Sequence, residues 1–189
     1  MNKGQEKYKY KITVIGDGMV GKTSLIKKFT KGSFKKDYIK TIGAQFSNYK
    51  QDIENDRCEL VFWDIAGQDE FHFLRPSFYK NSSAAIIVYS LEENSLGKES
   101  FKNITHWYSD LKNFCGDIPV ILFANKVDLV DKKQLETKKI EKLVEKKNFI
   151  GYYLTSAKTG ERVYDGFLTI IKELYYKSKT LYEELTGSK

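Results

Sequence analysis

A glycine-rich segment near the start of the chain carries residue types that hold phosphate groups. Its spacing matches G-x-x-x-x-G-K-[ST], and its residues are Gly16, Asp17, Gly18, Met19, Val20, Gly21, Lys22, Thr23 and Ser24. Backbone N–H groups of such a loop point at phosphate oxygens, and the lysine reaches the terminal phosphates. The threonine hydroxyl is placed to ligate Mg²⁺. The segment therefore predicts binding of a nucleotide, without saying which base.

A second polar segment, Asn125-Lys126-Val127-Asp128, directly follows the apolar run 120–124. A carboxylate at the end of a strand can accept hydrogen bonds from the N1–H and 2-amino groups of guanine, and adenine offers neither donor. The aliphatic stem of Lys126 can lie on the purine face. Alone, such a tetrapeptide is more often an ordinary surface turn. Combined with the phosphate loop, it predicts that Asn125, Lys126 and Asp128 select guanine.

A third segment, Thr155-Ser156-Ala157-Lys158, follows the next apolar run. Its backbone N–H groups can reach the guanine carbonyl. Ligands of parallel sheets bind outside the carboxyl ends of the strands, and all three segments are predicted to lie there. We therefore expect Ser156, Ala157 and Lys158 to complete the base site.

A fourth segment, Trp63-Asp64-Ile65-Ala66-Gly67-Gln68, lies at the end of the second strand of a predicted hairpin. Asp64 is expected to hold the magnesium shell. Gly67 lets its backbone N–H approach the γ-phosphate, and Gln68 is placed to orient an attacking water. The segment therefore predicts phosphoryl transfer to water.

The apolar patterns predict the elements that position these segments. Residues 8–15 read as a strand followed by the loop and a helix that ends at Gly32. Strands at about 44–53 and 58–64 should form an antiparallel hairpin whose first member lies at the sheet edge. Buried parallel strands are predicted at 84–90, 119–124 and 150–154. Helices are predicted at about 98–114, at 132–147 and from Arg162 onward, the last with Leu181 and Leu185 extending its apolar face. The expected fold is α/β, a six-stranded, mostly parallel sheet with one antiparallel edge strand and helices on both faces.

The composition fits one globular domain. The chain has 189 residues and 41% apolar residues, and its longest apolar runs are far shorter than the roughly 18 residues of a membrane span. Its formal charge of +7 comes almost entirely from lysine, with three arginines, which is typical of solvated faces rather than of a nucleic-acid reader. Cys58 and Cys115 have no metal-ligand spacing. We predict a monomer that binds no nucleic acid, with the domain at 8–178, an extension at 1–7 and a tail at 179–189.

These motifs resemble those of the Ras superfamily of small GTPases from about residue 9 to 176, and the Rab group is the most similar branch. The resemblance identifies Thr41 as the threonine that ligates Mg²⁺ and senses the γ-phosphate. It also places Tyr38 in the nucleotide site and Phe34 against guanine. The effector positions of the Rab group match Ile42, Phe46, Trp63 and Phe78. Plain hairpin packing is the other reading of these aromatic residues.

The resemblance implies a nucleotide-dependent switch that binds GTP and GDP with Mg²⁺. Lys22, Thr41, Gly67 and Gln68 are the implied catalytic residues. No arginine lies between Phe34 and Phe46, so slow hydrolysis and dependence on an activating protein are expected. Effectors and exchange factors are the other implied partners, in membrane trafficking or signalling. Two rival readings remain, a GTP-loaded scaffold that scarcely hydrolyses and a phosphate-loop ATPase.

Several positions depart from the family pattern. Ile65 stands where a threonine is usual, and Asp69-Glu70 replaces a more common Glu-Arg. The last cysteine, Cys115, lies 74 residues before Lys189, so a prenyl anchor has no attachment site near the end. Either the chain is truncated or it is not lipid-anchored. The N-terminus encodes neither secretion nor myristoylation, so we expect a cytoplasmic protein that reaches membranes, if at all, through partners.

Overall fold

Six strands form one sheet in a computed structural model that describes residues 6–34, 40–67 and 69–187. The sheet order is β2-β3-β1-β4-β5-β6, and only β2 and β3 are antiparallel. The strands are β1 (Lys7–Ile15), β2 (Ala44–Ile53), β3 (Asp56–Ile65), β4 (Ala84–Ser90), β5 (Val120–Asn125) and β6 (Gly151–Thr155). The predicted sheet is confirmed, including β2 at its edge.

Helices cover both faces of this sheet. They are α1 (Lys22–Lys31), α2 (Arg75–Tyr79), α3 (Ser95–Cys115), α4 (Thr137–Lys147) and α5 (Val163–Thr186). One apolar core lies beneath α1 and α5 around Phe62 and Phe167, and a second lies beneath α2, α3 and α4 around Ile87 and Trp107. Within the ranges that the structure describes, no helix has both the length and the apolarity needed to cross a bilayer.

The structure corrects one helix prediction and adds one helix. The helix predicted from residue 132 begins at Thr137, because Asp131 makes a turn first. The Asp131 carboxylate accepts a hydrogen bond from Lys133 N at 3.0 Å, and its carbonyl accepts one from Gln134 N at 3.0 Å. The structure also contains α2, which has only five residues and was not predicted.

The far end of α5 extends past the sheet. Its buried face ends near Leu174 and Tyr175, and the residues that continue the stripe, Leu181 and Leu185, are 57% and 78% exposed. Just before this overhang, the Tyr175 hydroxyl lies within hydrogen-bond distance of two carboxylate oxygens, 3.0 Å from Glu54 Oε2 and 2.8 Å from Asp56 Oδ2. Lys179 also pairs with Glu54. These contacts fasten α5 to the turn of the β2–β3 hairpin.

All strands except β2 run in the same direction, so their carboxyl ends meet at one rim of the sheet. The phosphate loop leaves β1 at this rim, and Gly67 follows β3 there. Asn125 and Thr155 are the last residues of β5 and β6. The topology therefore brings the four predicted segments to one place.

Candidate functional site

The phosphate loop is a tight turn whose backbone leaves little room for side chains. Gly16 and Gly21 have φ angles of 133° and 102°, and Met19 has a φ of 64°. A Cβ at Gly16 would lie 2.1 Å from the carbonyl oxygen of Val88, so only glycine fits at that position. The predicted phosphate-site residues all lie in this loop or in the first turn of α1: Gly16, Asp17, Gly18, Met19, Val20, Gly21, Lys22, Thr23 and Ser24.

The Lys22 side chain is buried at the centre of this loop. Its Nζ donates to the carbonyl oxygens of Gly16 and Asp17, each at 2.7 Å. Burial lowers the pKa of Lys22 to about 8, although nearby Asp64 and Asp17 oppose the shift. An ammonium has three N–H donors, so the loop holds a cation with one further donor for a phosphate oxygen.

Three oxygen-bearing side chains meet beside the phosphate loop. Thr23 Oγ1 lies 3.0 Å from Thr41 Oγ1 and 2.5 Å from Asp64 Oδ2. Thr41 Oγ1 lies 3.5 Å from the same carboxylate oxygen. The other oxygen, Asp64 Oδ1, is buried and accepts no hydrogen bond within the described part of the chain. Burial raises the pKa of the Asp64 carboxyl above its ordinary range.

This cluster fits the magnesium ion that the sequence predicts. Hydroxyl and carboxylate oxygens are the ligands that Mg²⁺ prefers, and it usually takes only one or two protein carboxylates beside a nucleotide. A buried carboxylate oxygen without a donor is costly unless a cation or proton satisfies it. The donor set of Thr23, Thr41 and Asp64 is therefore suited to a hard divalent cation.

Asn125 links three of the predicted segments. Its Nδ2 donates to the carbonyl oxygen of Val20 at 2.8 Å, in the phosphate loop. Its Oδ1 accepts from Ala157 N at 3.2 Å and from Thr155 Oγ1 at 3.4 Å. The side chain is buried, so its amide fixes the relative positions of the loops that follow β1, β5 and β6.

Asp128 lies at the rim beside the Ser156-Ala157-Lys158 loop. Its Oδ1 accepts a hydrogen bond from Ser156 Oγ at 2.6 Å, and its Oδ2 lies 3.8 Å from Lys158 Nζ. The Asp128 side chain is 14% exposed, whereas that of Lys158 is 64% exposed. Ala157 is buried. The Asp128 carboxylate is thus held in place by the loop that follows β6, and its role in binding guanine stays a prediction.

Lys126 has a left-handed backbone, with a φ of 69°. Its ammonium pairs with the Glu92 carboxylate, which also accepts a hydrogen bond from Ser90 Oγ at 2.9 Å. The pair fixes the end of the lysine chain, so the aliphatic stem is held at the rim beside Asp128. Glu92 is a supporting residue that the sequence motifs did not reveal.

Gly67 packs directly against the phosphate loop. A Cβ at this position would lie 2.4 Å from Gly16 O and 2.5 Å from Gly18 N. Any larger residue would therefore push the segment after β3 away from the loop. This contact brings the Gly67 backbone to the place where the sequence analysis expects the terminal phosphate.

The remaining predicted residues belong to the nucleotide site and to the effector surface, and the structure describes most but not all of them. Phe34 is 39% exposed, while Tyr38 and Gln68 lie outside the described residues. Phe46 and Trp63 pack edge to face with ring centroids 4.3 Å apart, and Phe78 lies 6.0 Å from Trp63. Ile42 and Phe46 are exposed. The aromatic residues therefore form one contiguous cluster that is accessible at the surface.

The structure adds a set of contacts to Asp17 that the sequence analysis did not predict. Trp107 Nε1 donates to Asp17 Oδ1 at 2.7 Å, and Asn103 Nδ2 donates to Asp17 Oδ2 at 2.8 Å. The buried guanidinium of Arg75 lies over the Trp107 ring, 4.1 Å from its centroid, and 3.9 Å from Asp110 Oδ2. These contacts connect α2 through α3 to the phosphate loop.

Removing the indole donor should loosen this connection. We expect Trp107→Phe to lower the free energy of unfolding by about 2 kcal/mol, because it loses a charge-assisted hydrogen bond and buried volume. A double-mutant cycle with Asp17→Ala separates the two losses, and the coupling energy should be about 1–3 kcal/mol in urea unfolding. A coupling energy indistinguishable from zero would show that the hydrogen bond does not hold the loop.

With this geometry established, comparison with known proteins identifies the family. A family model described as the Ras family matches residues 11–176. The chain belongs to the Ras family. Ras-related protein Rab-21 of Bos taurus is 33% identical over 170 residues, which cover 88% of this chain and 73% of that protein. Ras-related protein Rab-13 of Bos taurus is 32% identical over 170 residues, covering 89% and 81%.

This Ras-family chain is accordingly a Rab-like small GTPase that acts as a nucleotide-dependent switch. Members of the family bind GTP and GDP with Mg²⁺, hydrolyse GTP, and have effectors, exchange factors and activating proteins as partners. The predicted family, fold and enzyme class are confirmed. The roles of individual residues stay predictions.

Proposed function

We propose that this GTPase holds guanine nucleotides in the site organised by Asn125 and acts as a monomeric switch in membrane trafficking. The observation that carries the proposal is the set of hydrogen bonds from Asn125 to Val20, Thr155 and Ala157. Through one side chain, these bonds bring the phosphate loop together with both base segments. The Rab-21 and Rab-13 relatives support the trafficking role.

In this proposal, base choice rests on the rim residues. The Asp128 carboxylate accepts hydrogen bonds from the N1–H and 2-amino groups of guanine, while the backbone N–H groups of Ser156, Ala157 and Lys158 lie near the guanine carbonyl. The Lys126 stem and Phe34 lie against the purine faces. The fixed position of Asp128, bonded to Ser156, supports this assignment because a preorganised carboxylate penalises a base that lacks both donors.

The phosphates and the metal are assigned to the opposite end of the site. Mg²⁺ would neutralise phosphate charge there, held by Thr23, Thr41 and Asp64. The Lys22 ammonium donates to a phosphate oxygen from the centre of the loop. Thr41 and the Gly67 backbone N–H respond to the terminal phosphate, so its loss releases the two segments that carry them.

For hydrolysis, we assign Gln68 to orient the attacking water, while Lys22 stabilises charge on the terminal phosphate.

We expect single-turnover hydrolysis of GTP to be slow for the isolated protein. The segment from Phe34 to Phe46 contains no arginine, and a finger from a partner is worth about 10³–10⁵ in rate. Gln68→Leu should lower the rate further, as measured by phosphate release, with Gln51→Leu in β2 as the control. Fast turnover without a partner would contradict the expected dependence on an activating protein, and an unchanged rate in Gln68→Leu would contradict the role assigned to Gln68.

The effector surface is assigned to Ile42, Phe46, Trp63 and Phe78. Phe46, Trp63 and Phe78 form one aromatic cluster, and Ile42, which follows Thr41 in the chain, is exposed. We assign the GTPase domain to residues 8–178, with extensions at 1–7 and 179–189, and the match over 11–176 is consistent with this. We place the protein in the cytoplasm, reaching membranes through its partners.

A nucleotide competition experiment tests the proposal directly. Purified protein is loaded with a fluorescent GDP analogue in Mg²⁺ and challenged with GTP, GDP or ATP. We expect GTP and GDP to compete at micromolar concentration or below and ATP to fail. Equal competition by ATP would favour the ATPase reading. Tight GTP binding without any phosphate release, even after long incubation, would favour the scaffold reading.

A further inference from the structure

One face of the three strands β2, β3 and β1 is open to solvent. Along β3, Cys58, Leu60 and Phe62 are buried beneath α1 and α5, whereas Glu59, Val61 and Trp63 alternate with them and are partly exposed. The pairing register places further residues of β1 and β2 beside these. We call this surface the open sheet face and define it by Lys7, Lys9, Lys11, Phe46, Asn48, Lys50, Asp52, Arg57, Glu59, Val61 and Trp63.

The open sheet face is apolar at one end and cationic at the other. Phe46 lies opposite Trp63 at the rim end, and Asn48 lies opposite Val61 in the next row. Farther from the rim, five cations face two anions, a net charge of +3: Lys7, Lys9, Lys11, Lys50 and Arg57 against Asp52 and Glu59. With about 6.6 Å between rows on one face and about 4.8 Å between strands, the surface measures about 20 by 10 Å.

The cationic end contains a groove of about 610 Å³ whose lining includes Lys9, Lys11, Lys50, Glu59 and Val61. Lys9 and Lys50 flank Glu59 at 3.8 and 3.9 Å, and their side chains are 79% and 67% exposed. Two cations therefore share one carboxylate, and both ammonium groups remain accessible to a second anion. Such loose, exposed pairs cost little to rearrange.

Lys11 joins the cationic end to the aromatic end. Its Nζ lies 3.6 Å from the centroid of the Trp63 ring and donates to the carbonyl oxygen of Lys80 at 2.7 Å. Burial lowers the pKa of Lys11. The open sheet face is thus continuous from Phe46 to Lys9.

We propose that the open sheet face binds a partner polypeptide that carries apolar side chains followed by acidic side chains. The apolar residues cover Phe46, Val61 and Trp63, and the acidic residues pair with Lys9 and Lys50. The inference rests on the proposed function in one respect, that the aromatic cluster contacts effectors, and it adds the charge of the partner. A polypeptide is favoured over an anionic membrane because the cationic end is a groove in which the Glu59 carboxylate, lying between Lys9 and Lys50, would repel an anionic lipid surface.

The test begins with protein loaded with a non-hydrolysable GTP analogue, and loading is measured first. Random peptides of about twelve residues, longer than the face itself, are displayed on phage and selected on this protein. Selected sequences are synthesised, and their Kd values are measured by fluorescence anisotropy. The decisive variant is Lys9→Glu/Lys50→Glu. The matched control is Lys142→Glu/Lys146→Glu, which makes the same charge change on exposed positions of α4.

We expect the selected peptides to carry acidic residues next to apolar ones. Their Kd should rise about tenfold or more in Lys9→Glu/Lys50→Glu and with added salt, while the α4 control leaves it unchanged. Phe46→Ala should also weaken the same peptides.

Three results would overturn the inference. The first is that selection yields no binding peptide. The second is that peptides depend on Phe46 but lack acidic residues and bind Lys9→Glu/Lys50→Glu normally, which leaves the proposed function intact. The third is that vesicles of phosphatidylcholine with about 30% phosphatidylserine, rather than peptides, bind through Lys9 and Lys50. Failure to load any guanine nucleotide would instead contradict the proposed function itself.

Discussion

Replacing Asp128 with asparagine should remove the preference for GTP and create one for xanthosine triphosphate. The carboxylate offers two acceptors, which match the N1–H and 2-amino donors of guanine. An asparagine amide places an N–H₂ group against one of those donors, so two donors face each other and one partner is lost. Xanthine carries a carbonyl in place of the 2-amino group and can accept from the new amide.

The expected loss is large because the carboxylate is held in place and mostly buried. Ser156 Oγ donates to Asp128 Oδ1 at 2.6 Å, so the side chain cannot simply turn away from a mismatched base. Sites built to hydrogen-bond a ligand reject analogues by large factors, and we expect GTP affinity to fall about 10²–10³-fold.

Competition of GTP and xanthosine triphosphate for the fluorescent GDP site measures both changes. Asp131→Asn is the matched control, since Asp131 is exposed three residues later and its carboxylate serves the turn before α4. The control should keep wild-type selectivity. If Asp128→Asn still binds GTP more tightly than xanthosine triphosphate, Asp128 does not read the base.

The second prediction concerns Asp64, where stability and binding should change in opposite directions. Burial raises the pKa of its carboxyl, which means that the charged form is unfavourable in the protein without nucleotide and metal. Asp64→Asn removes that charge and keeps the size of the side chain. The nucleotide-free protein should therefore become more stable at neutral pH, while affinity for GTP with Mg²⁺ falls about 100-fold or more because the proposed metal site loses its carboxylate.

The sign of the pH dependence follows from the same shift. A carboxyl whose folded-state pKa lies above its unfolded-state pKa costs stability once pH exceeds the unfolded value. The nucleotide-free wild type should lose stability as pH rises through the interval between the ordinary value of 3.8 and the raised one. Asp64→Asn should lack this part of the pH profile.

Urea unfolding of nucleotide-free protein across this pH range checks the stability change, and titration with GTP and Mg²⁺ checks the affinity. Asp110→Asn is the control. Its carboxylate accepts from the Tyr79 hydroxyl at 3.0 Å and lies near Arg75, so its loss should destabilise the protein without affecting the metal. An Asp64→Asn variant that is less stable than wild type at neutral pH would contradict the burial argument.

The sheet was predictable because its central strands are buried on both faces and therefore read as uninterrupted apolar runs. The hairpin was equally clear, since a polar turn separates two alternating segments. The start of α4 was misplaced because lysines 132 and 133 are good helix formers, and only the Asp131 turn excludes them from the helix. The five residues of α2 are too few to establish a period.

The candidate site also has one part that could be predicted from the sequence and one part that could not. Its motifs could be read because each needs particular residue types within a few positions. The contacts that fix those motifs join residues far apart in the chain, as Trp107 joins Asp17 across 90 positions. Likewise, nothing in the local pattern around Asn125 indicates that its amide binds Val20 rather than the ligand. Pairings of this kind depend on how the elements pack, which local sequence does not encode.

The contacts between α5 and the hairpin turn fix one end of the β2–β3 hairpin and leave the other end able to move. Tyr175 and Lys179 hold its distal end at Glu54 and Asp56, while its other end carries Phe46 and follows Thr41 at the rim. When the bound nucleotide changes, we therefore expect the displacement of the hairpin to be large at the end beside the nucleotide site and negligible at the turn that α5 holds. The fluorescence of a dye attached at position 55, in place of Asn55, should not change on nucleotide exchange. The fluorescence of a dye attached in place of Gln45 should change.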